Sequence, residues 1–197
     1  ANIKPGDKIS LIGRNTPNWT ITYVAVVTYG AVIVPILQDF NANDVHHIVN
    51  HSDSVLLFCS DKIWDKLDED KMENLMAVIS LNDFTCMYQN EENTMQSMLT
   101  NLNDEFAARY PNGYGPNDIH YTERDNSELA MISYTSGTTG FSKGVMLTAN
   151  ALAGNITYGI RTKLLERGNR VLNFLPLAHA YGMAFDFLTA TCCGAHT

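Results

Sequence analysis

Apolar and polar positions along the chain predict most of its elements. Residues 8–14, KISLIGR, alternate side-chain character and are rich in isoleucine, the period-two pattern of a strand. Residues 16–30 predict a helix, with Pro17 in its first turn and Gly30 at its end. Residues 31–36, AVIVPI, are apolar almost without a break, as in a strand buried on both faces of a sheet. Residues 41–53 predict a short helix capped by Asn43, 54–59 a strand, 61–72 an exposed amphipathic helix, and 75–81 a further strand. Residues 82–93 read as a polar loop. Residues 94–110 predict a helix whose Met95, Met98, Leu99, Leu102 and Phe106 fall on one stripe.

Strand and helix thus alternate in units of about 20 to 30 residues, which predicts parallel βαβ construction: a layered α/β/α fold with a mostly parallel sheet. Residues 111–127 hold two prolines and two glycines and read as a connecting loop. It divides a first α/β portion, 1–110, from the start of a second, 128–197. In the second portion 128–136 and 144–148 predict strands, Thr148 caps a helix running to about Ile160, 170–177 predict a strand, and a helix begins near Ala180. The last residues are apolar and carry no polar tail, so the sequence is expected to be part of a longer protein.

Charge narrows the function classes. A net charge of −8 repels nucleic acid, and no nucleic-acid partner is expected. Residues 15–38 are uncharged, long enough to suggest a membrane span. Threonines and asparagines interrupt the run, and Gly30 and Pro35 punctuate it, so a buried helix and strand explain it better. The four cysteines match neither a CxxC metal site nor a disulfide framework, and no leader pattern opens the sequence, so a reducing, cytoplasmic setting is expected. His46, His47, His51, His120 and His196 show no metal spacing, and the first three read as a solvated helix face.

The chemistry concentrates in residues 132–150, ISYTSGTTGFSKGVMLTAN. Four of the five residues from Thr135 to Thr139 carry hydroxyls, and Gly137, Gly140, Lys143 and Gly144 complete the stretch. Glycine lets the backbone approach an anion and point successive N–H groups at it. Hydroxyls add donors that rotate to fit, and a lysine adds a mobile positive charge. From residue 129 to 160, Lys143 is the only charged side chain, so no carboxylate competes with a bound phosphate. A hairpin turn needs neither four hydroxyls nor a lysine. A Walker loop needs GK followed by Ser or Thr and then a helix, whereas Lys143 lies between Ser142 and Gly144 and leads into the strand-like VMLT.

These residues resemble the adenylate-forming superfamily of acyl-CoA synthetases, adenylation domains and firefly luciferase. Residues 4–36 resemble that family's early strand–helix–strand unit. Residues 170–195, RVLNFLPLAHAYGMAFDFLTATCCGA, resemble its substrate-site segment, marked by PLxHxxG. PLAHAYGMAFDFL is most similar to bacterial long-chain fatty acid–CoA ligases. The resemblance implies a two-step reaction in which ATP and a carboxylate give an acyl-adenylate and pyrophosphate, after which the thiol of CoA displaces AMP. It implies β- and γ-phosphate contacts at Thr135, Ser136, Gly137, Thr138, Thr139, Gly140, Lys143 and Gly144, with Mg²⁺ beside Thr138. It implies catalytic roles for Lys143 and His179, the latter by positioning, and an acyl site at His179, Tyr181 and Gly182. Ser142 stands where the family often has proline, Phe141 where polar residues are common, and Ala149 and Asn150 where a histidine is often found. The family's adenine, ribose and Mg²⁺ segments, and its domain with a catalytic lysine, fall outside these residues, so the 197 residues alone are expected to complete neither half-reaction. An aryl-acid or amino-acid adenylating domain and a non-catalytic nucleotide-binding module stay open at this point, as do peripheral membrane association and self-association through exposed sheet edges.

Overall fold

The computed structural model describes residues 3–92, 94–135 and 142–197. Seven strands form one sheet: β1 (Lys8–Ile12), β2 (Val32–Ile36), β3 (Ser54–Cys59), β4 (Ala77–Ser80), β5 (Cys86–Gln89), β6 (Leu129–Thr135) and β7 (Lys143–Thr148). Their order is β5-β4-β3-β1-β2-β6-β7. The four inner pairs are parallel, and the two outer pairs, β4–β5 and β6–β7, are antiparallel. The mostly parallel α/β sheet expected from the strand–helix alternation is the one found.

The strands' own alternation sorts their side chains onto two faces. Ile9, Leu11, Ile33 and Met131 cluster with Trp19, Tyr23 and Val26 of α1 (Pro17–Tyr29). Ile12, Val32, Val34, Ile36 and Leu57 cluster with Val45, Ile48 and Val49 of α2 (Ala42–His51). The sheet is therefore covered on both sides, as its unbroken apolar strands require. Pro35 is tolerated inside β2 for a local reason. Val32 N–H donates to Asp7 O, so the alternate residues Ile33 and Pro35 turn their backbone toward β6, and β6 pairs with β2 only at Ile33↔Met131. The missing N–H lies one alternate step past that pair, where the β2–β6 ladder stops.

Helix ends follow from single residues. Thr16 Oγ1 accepts from Trp19 N–H at 3.2 Å, Pro17 starts α1, and Gly30 closes it at φ 91°, a left-handed conformation open to glycine. Thr148 caps α5 (Ala149–Arg161) in the same way, as the sequence predicts. The cap of α2 is Asn41, two residues earlier than expected, because its Oδ1 reaches Asp44 N–H at 3.1 Å. His46 is buried on α2 instead of solvated, and its Nε2 accepts from Asp68 N–H at 3.0 Å.

Three other elements differ from expectation. Residues 61–72 form only one helical turn, α3 (Asp61–Trp64), and a short 3₁₀ turn at Glu69–Lys71. The His46 contact holds Asp68 outside a helix there. Residues 82–93 contain β5, which pairs antiparallel with the edge of β4 after a tight turn through Phe84 at φ 62°. Residues 170–177 form no strand, and carry only an isolated bridge between Arg170 and His196. The helix predicted over 94–110 is present as α4 (Met95–Arg109), but its stripe is not a core face: only Met95 is buried, and Met98, Leu102 and Phe106 are exposed. Among the described residues its packing partner in the sheet is the narrow edge strand β5.

Candidate functional site

The chain passes from β2 to β3 by crossing β1, so β1 lies between its two successors and the loops at the carboxyl ends diverge there. Open parallel sheets hold ligands at such a switch point. A cavity of about 420 Å³ opens at this place, lined by residues that follow β1, β2, β3 and β4. Arg14, Lys62 and Lys66 bring three cations to its wall, and Asp39 brings one acid. Asp61, next to Lys62, is engaged internally: Ser80 Oγ and Asn82 Nδ2 donate to its two oxygens, each at 2.7 Å. Gly13 packs closely at the wall, where a Cβ would come within 2.8 Å of Leu81 Cδ1 and that side chain would have to shift. The cavity suits an anionic ligand, and none of its cations was a predicted site residue. The available signal was positional: basic residues directly after strands that flank a switch point.

The glycine–hydroxyl stretch emerges at the same edge of the sheet. Thr135 ends β6 and pairs in register with Lys143, which starts β7, so the two residues face each other at the mouth of the hairpin. Both are exposed. Ser136, Gly137, Thr138, Thr139 and Gly140 lie outside the described residues. One step down the stem, Tyr134 pairs with Gly144. The tyrosine ring lies across the glycine: a Cβ on Gly144 would meet Ile132 Cγ2 at 2.9 Å and Tyr134 Cζ at 3.1 Å. Gly144 therefore works as packing for the stem. Tyr134 Oη and His51 Nδ1 share a 2.7 Å hydrogen bond that ties the stem to α2. Burial, with a smaller effect from Asp53, pushes the Tyr134 phenol up to about 12 and keeps it neutral.

The PLAHAYG segment is a tight turn leading into a helix. His179 N–H donates to Pro176 O at 2.9 Å, and Met183 N–H donates to His179 O at 3.0 Å. Gly182 is buried against the same carbonyl, where a Cβ would sit 2.8 Å from Pro176 O, so glycine is needed for the close approach. His179 and Tyr181 are exposed. Tyr181 N–H donates to His179 Nδ1 at 3.3 Å, which leaves Nε2 as the N–H of the neutral ring and a donor for an oxygen ligand. After the turn, a π-wound segment (Gly182–Thr189) runs into α6 (Ala190–Cys193). Thr189 Oγ1 donates to Ala184 O, five residues back, at 2.7 Å and supports the wide turn. Wide turns of this kind occur at functional sites. Asp186 lies in it, and burial raises its carboxyl above the usual range. Phe187 packs edge-on against Trp19 and Tyr23 of α1, and Tyr23 Oη lies 3.0 Å from Met183 Sδ.

The turn is fixed to the sheet by a residue that the sequence reading passed over. Asn15 follows β1, and its carboxamide joins Leu175 O and Leu177 N–H. The fold therefore brings Thr135, Lys143 and Gly144 together at one stem. It carries His179, Tyr181 and Gly182 on a separate turn, anchored to the loop after β1 at the same carboxyl edge.

The sequence matches the AMP-binding enzyme family across residues 1–197. The chain belongs to that family. Long chain acyl-CoA synthetase 2 of Arabidopsis thaliana is 26% identical over 194 residues, covering 93% of this chain and 28% of that protein. Long-chain-fatty-acid–CoA ligase 5 of Rattus norvegicus is 25% identical over 197 residues, covering 94% and 28%. Among solved structures, a long-chain-fatty-acid-CoA ligase (FadD1) from Archaeoglobus fulgidus superposes with a TM-score of 0.75 at 19% identity, covering 99% of this chain and 35% of that one. ATP-bound MatB from Rhodopseudomonas palustris gives 0.74 at 19% identity, with the same coverage. At that identity the likeness is one of fold. The chain spans 28% of the length of these two curated relatives. Among the described residues, no helix is long and apolar enough to cross a membrane.

Proposed function

We propose that this chain is part of an ATP-dependent fatty acid–CoA ligase. The observation that carries the reading is the hairpin stem. It presents Lys143, the only charged residue between 129 and 160, opposite Thr135 at the carboxyl edge of a parallel sheet in an AMP-binding family member. Relatives named as long-chain acyl-CoA synthetases support the choice of acid. A carboxylate oxygen attacks the α-phosphorus of ATP, and the bond to the β,γ-pyrophosphate breaks. Lys143 and the loop hydroxyls neutralise and hold that leaving group, which lowers the barrier because its charge grows in the transition state. His179, whose Nδ1 accepts from Tyr181 N–H and leaves Nε2–H as the donor, orients the carboxylate or the adenylate, and Tyr181 borders the acyl site. CoA sulfur then attacks the acyl carbon and AMP leaves. The cavity with Arg14, Lys62 and Lys66 suits the phosphorylated end of CoA. No cluster of three metal-ligating side chains lies among the described residues, and Thr138 is outside them. A Mg²⁺ ion would share the holding of pyrophosphate with Lys143 and the hydroxyls.

The proposed boundary between two α/β portions is 111–127. The four free cysteines support a reducing, cytoplasmic setting. A pyrophosphate-release assay of the full-length protein with fatty, aryl and amino acids tests the reading. Release is expected with long-chain fatty acids and weak with the rest. A preference for aryl or amino acids would replace the substrate class, and no release with any acid would overturn the reaction. The 197 residues alone are expected to give no ATP–pyrophosphate exchange.

A further inference from the structure

We propose that Asn15 is a positioning residue that sets the His179 turn. Its carboxamide acts as a one-residue strand partner. Nδ2 donates to Leu175 O at 2.8 Å and to Asn173 Oδ1 at 3.2 Å, and contacts Asn173 O at 3.4 Å. Oδ1 accepts from Leu177 N–H at 3.0 Å. A donor to residue 175 and an acceptor from residue 177 copy the ladder a neighbouring strand would make. Residues 170–177 have strand-like composition, and among the described residues they pair only through the isolated bridge at Arg170, so at 175–177 this side chain takes the place of a strand.

The consequence reaches His179 within one turn. Leu177 is fully buried, and Pro176 O receives the His179 N–H and abuts Gly182. Apolar burial of Leu177 and Met183 fixes where the segment lies, but burial is not directional. The two amide bonds fix its rotation, and rotation decides where the exposed His179 ring points. The neighbours of Asn15 have a second role: Gly13, Arg14 and Thr16 line the cavity with three cations. One loop after β1 thus serves the cavity on one side and the His179 turn on the other. Asn15 sets the spacing between them. The catalytic part of this inference rests on the proposed ligase reading; the structural part does not.

Amide hydrogen exchange and kinetics test the two parts separately. In Asn15→Ala, exchange at Leu177 N–H is expected to rise by about tenfold or more, while amides of β1 and β2 keep their protection. Asn15→Asp keeps the acceptor for Leu177 N–H but sets a carboxylate against Leu175 O, so Leu177 stays protected while the turn is displaced. In the full-length protein both variants are expected to lower kcat for acid-dependent pyrophosphate release by roughly 10- to 100-fold, with KM for ATP within about twofold, the loss that misplacement of about an ångström produces. Unchanged Leu177 exchange in Asn15→Ala overturns the inference. So does loss of protection across the whole sheet in both variants, which would make Asn15 a fold residue. With an active parent enzyme, unchanged kcat also overturns it. An inactive parent enzyme overturns the ligase reading instead, and leaves the exchange result to decide the structural role.

Discussion

The sheet built from β1 to β5 and the segment that follows β7 contain similar apolar side chains and treat them oppositely. In the first, Leu11, Ile12, Ile33, Val34, Ile36 and Leu57 are fully enclosed between α1 and α2. In the second, Leu172 is 81% exposed, Phe174 76% and Tyr181 55%, and Tyr158 and Leu164 are exposed as well. The first is a scaffold that closes on itself through parallel crossovers. The second leans on that scaffold at a few points: Phe187 against Trp19 and Tyr23, Met183 against Tyr23, and Asn15 against residues 173–177. The side chains proposed to act on the acid and on pyrophosphate belong to the second region or to the hairpin that leads into it, and the three cations of the cavity to loops of the first. Binding groups carried on loops and held by a rigid sheet are the usual arrangement, because the sheet supplies the stability and the loops supply the contacts.

The largest effect expected from this contrast is on stability. Trp19→Ala removes a ring that is 1% exposed and stacked on Tyr23 at 5.6 Å, and is expected to cost about 3–5 kcal/mol in denaturant titration. Phe174→Ala, on a smaller but still bulky aromatic side chain, is expected to cost less than about 0.5 kcal/mol. Equal losses would mean that residues 170–177 are packed as tightly as the sheet. A middle effect is expected at the stem between the regions. Gly144→Ala forces a Cβ onto Ile132 and Tyr134 and is expected to cost roughly 1–3 kcal/mol. It should also weaken the bond between Tyr134 and His51, visible as a changed His51 ring signal in NMR. An unperturbed His51 would mean that the stem tolerates the methyl by moving elsewhere.

The smallest effect concerns pH, and it belongs to the scaffold alone. Burial, then the nearby Lys71, hold His46 below its usual value of 6.5, with Asp68 acting the other way. The unfolded chain therefore binds a proton more readily than the folded one, and stability falls as pH drops through about 6.5. The denaturation midpoint should fall between about pH 7.5 and pH 5, and fall less in His46→Gln, whose side chain can still accept from Asp68 N–H. An identical fall in that variant would assign the pH dependence to other groups.

Much of the scaffold was legible because parallel strands buried on both faces leave runs such as AVIVPI, and because Thr16, Gly30 and Thr148 act on their own helix ends. Elements set by distant partners were not legible. β5 is a four-residue edge strand, half-buried throughout, with no alternating pattern to show it. The helix expected over 61–72 yields to one hydrogen bond that the Asp68 N–H donates to a histidine on another helix. The strand expected over 170–177 has the right composition but no neighbouring strand among the described residues, and a single asparagine more than 150 residues earlier supplies its partner. For the site, Thr135 and Lys143 were singled out from a motif with its charge context and His179 from the resemblance at PLAHAYG, and the structure sets Thr135 opposite Lys143 and His179 on a separate turn. Gly144 and Gly182 were found too, but the structure gives them packing roles. Arg14, Lys62 and Lys66 converge only because of the strand order, which a linear pattern does not contain.

The ligase reading stands or falls with Lys143. Substituting it as Lys143→Met in the full-length protein removes the charge and keeps most of the side-chain length. Pyrophosphate release with a long-chain fatty acid is expected to fall by about 100-fold or more, with the denaturation midpoint unchanged, since Lys143 is exposed. A rate within twofold of the parent enzyme would contradict a leaving group held at this hairpin.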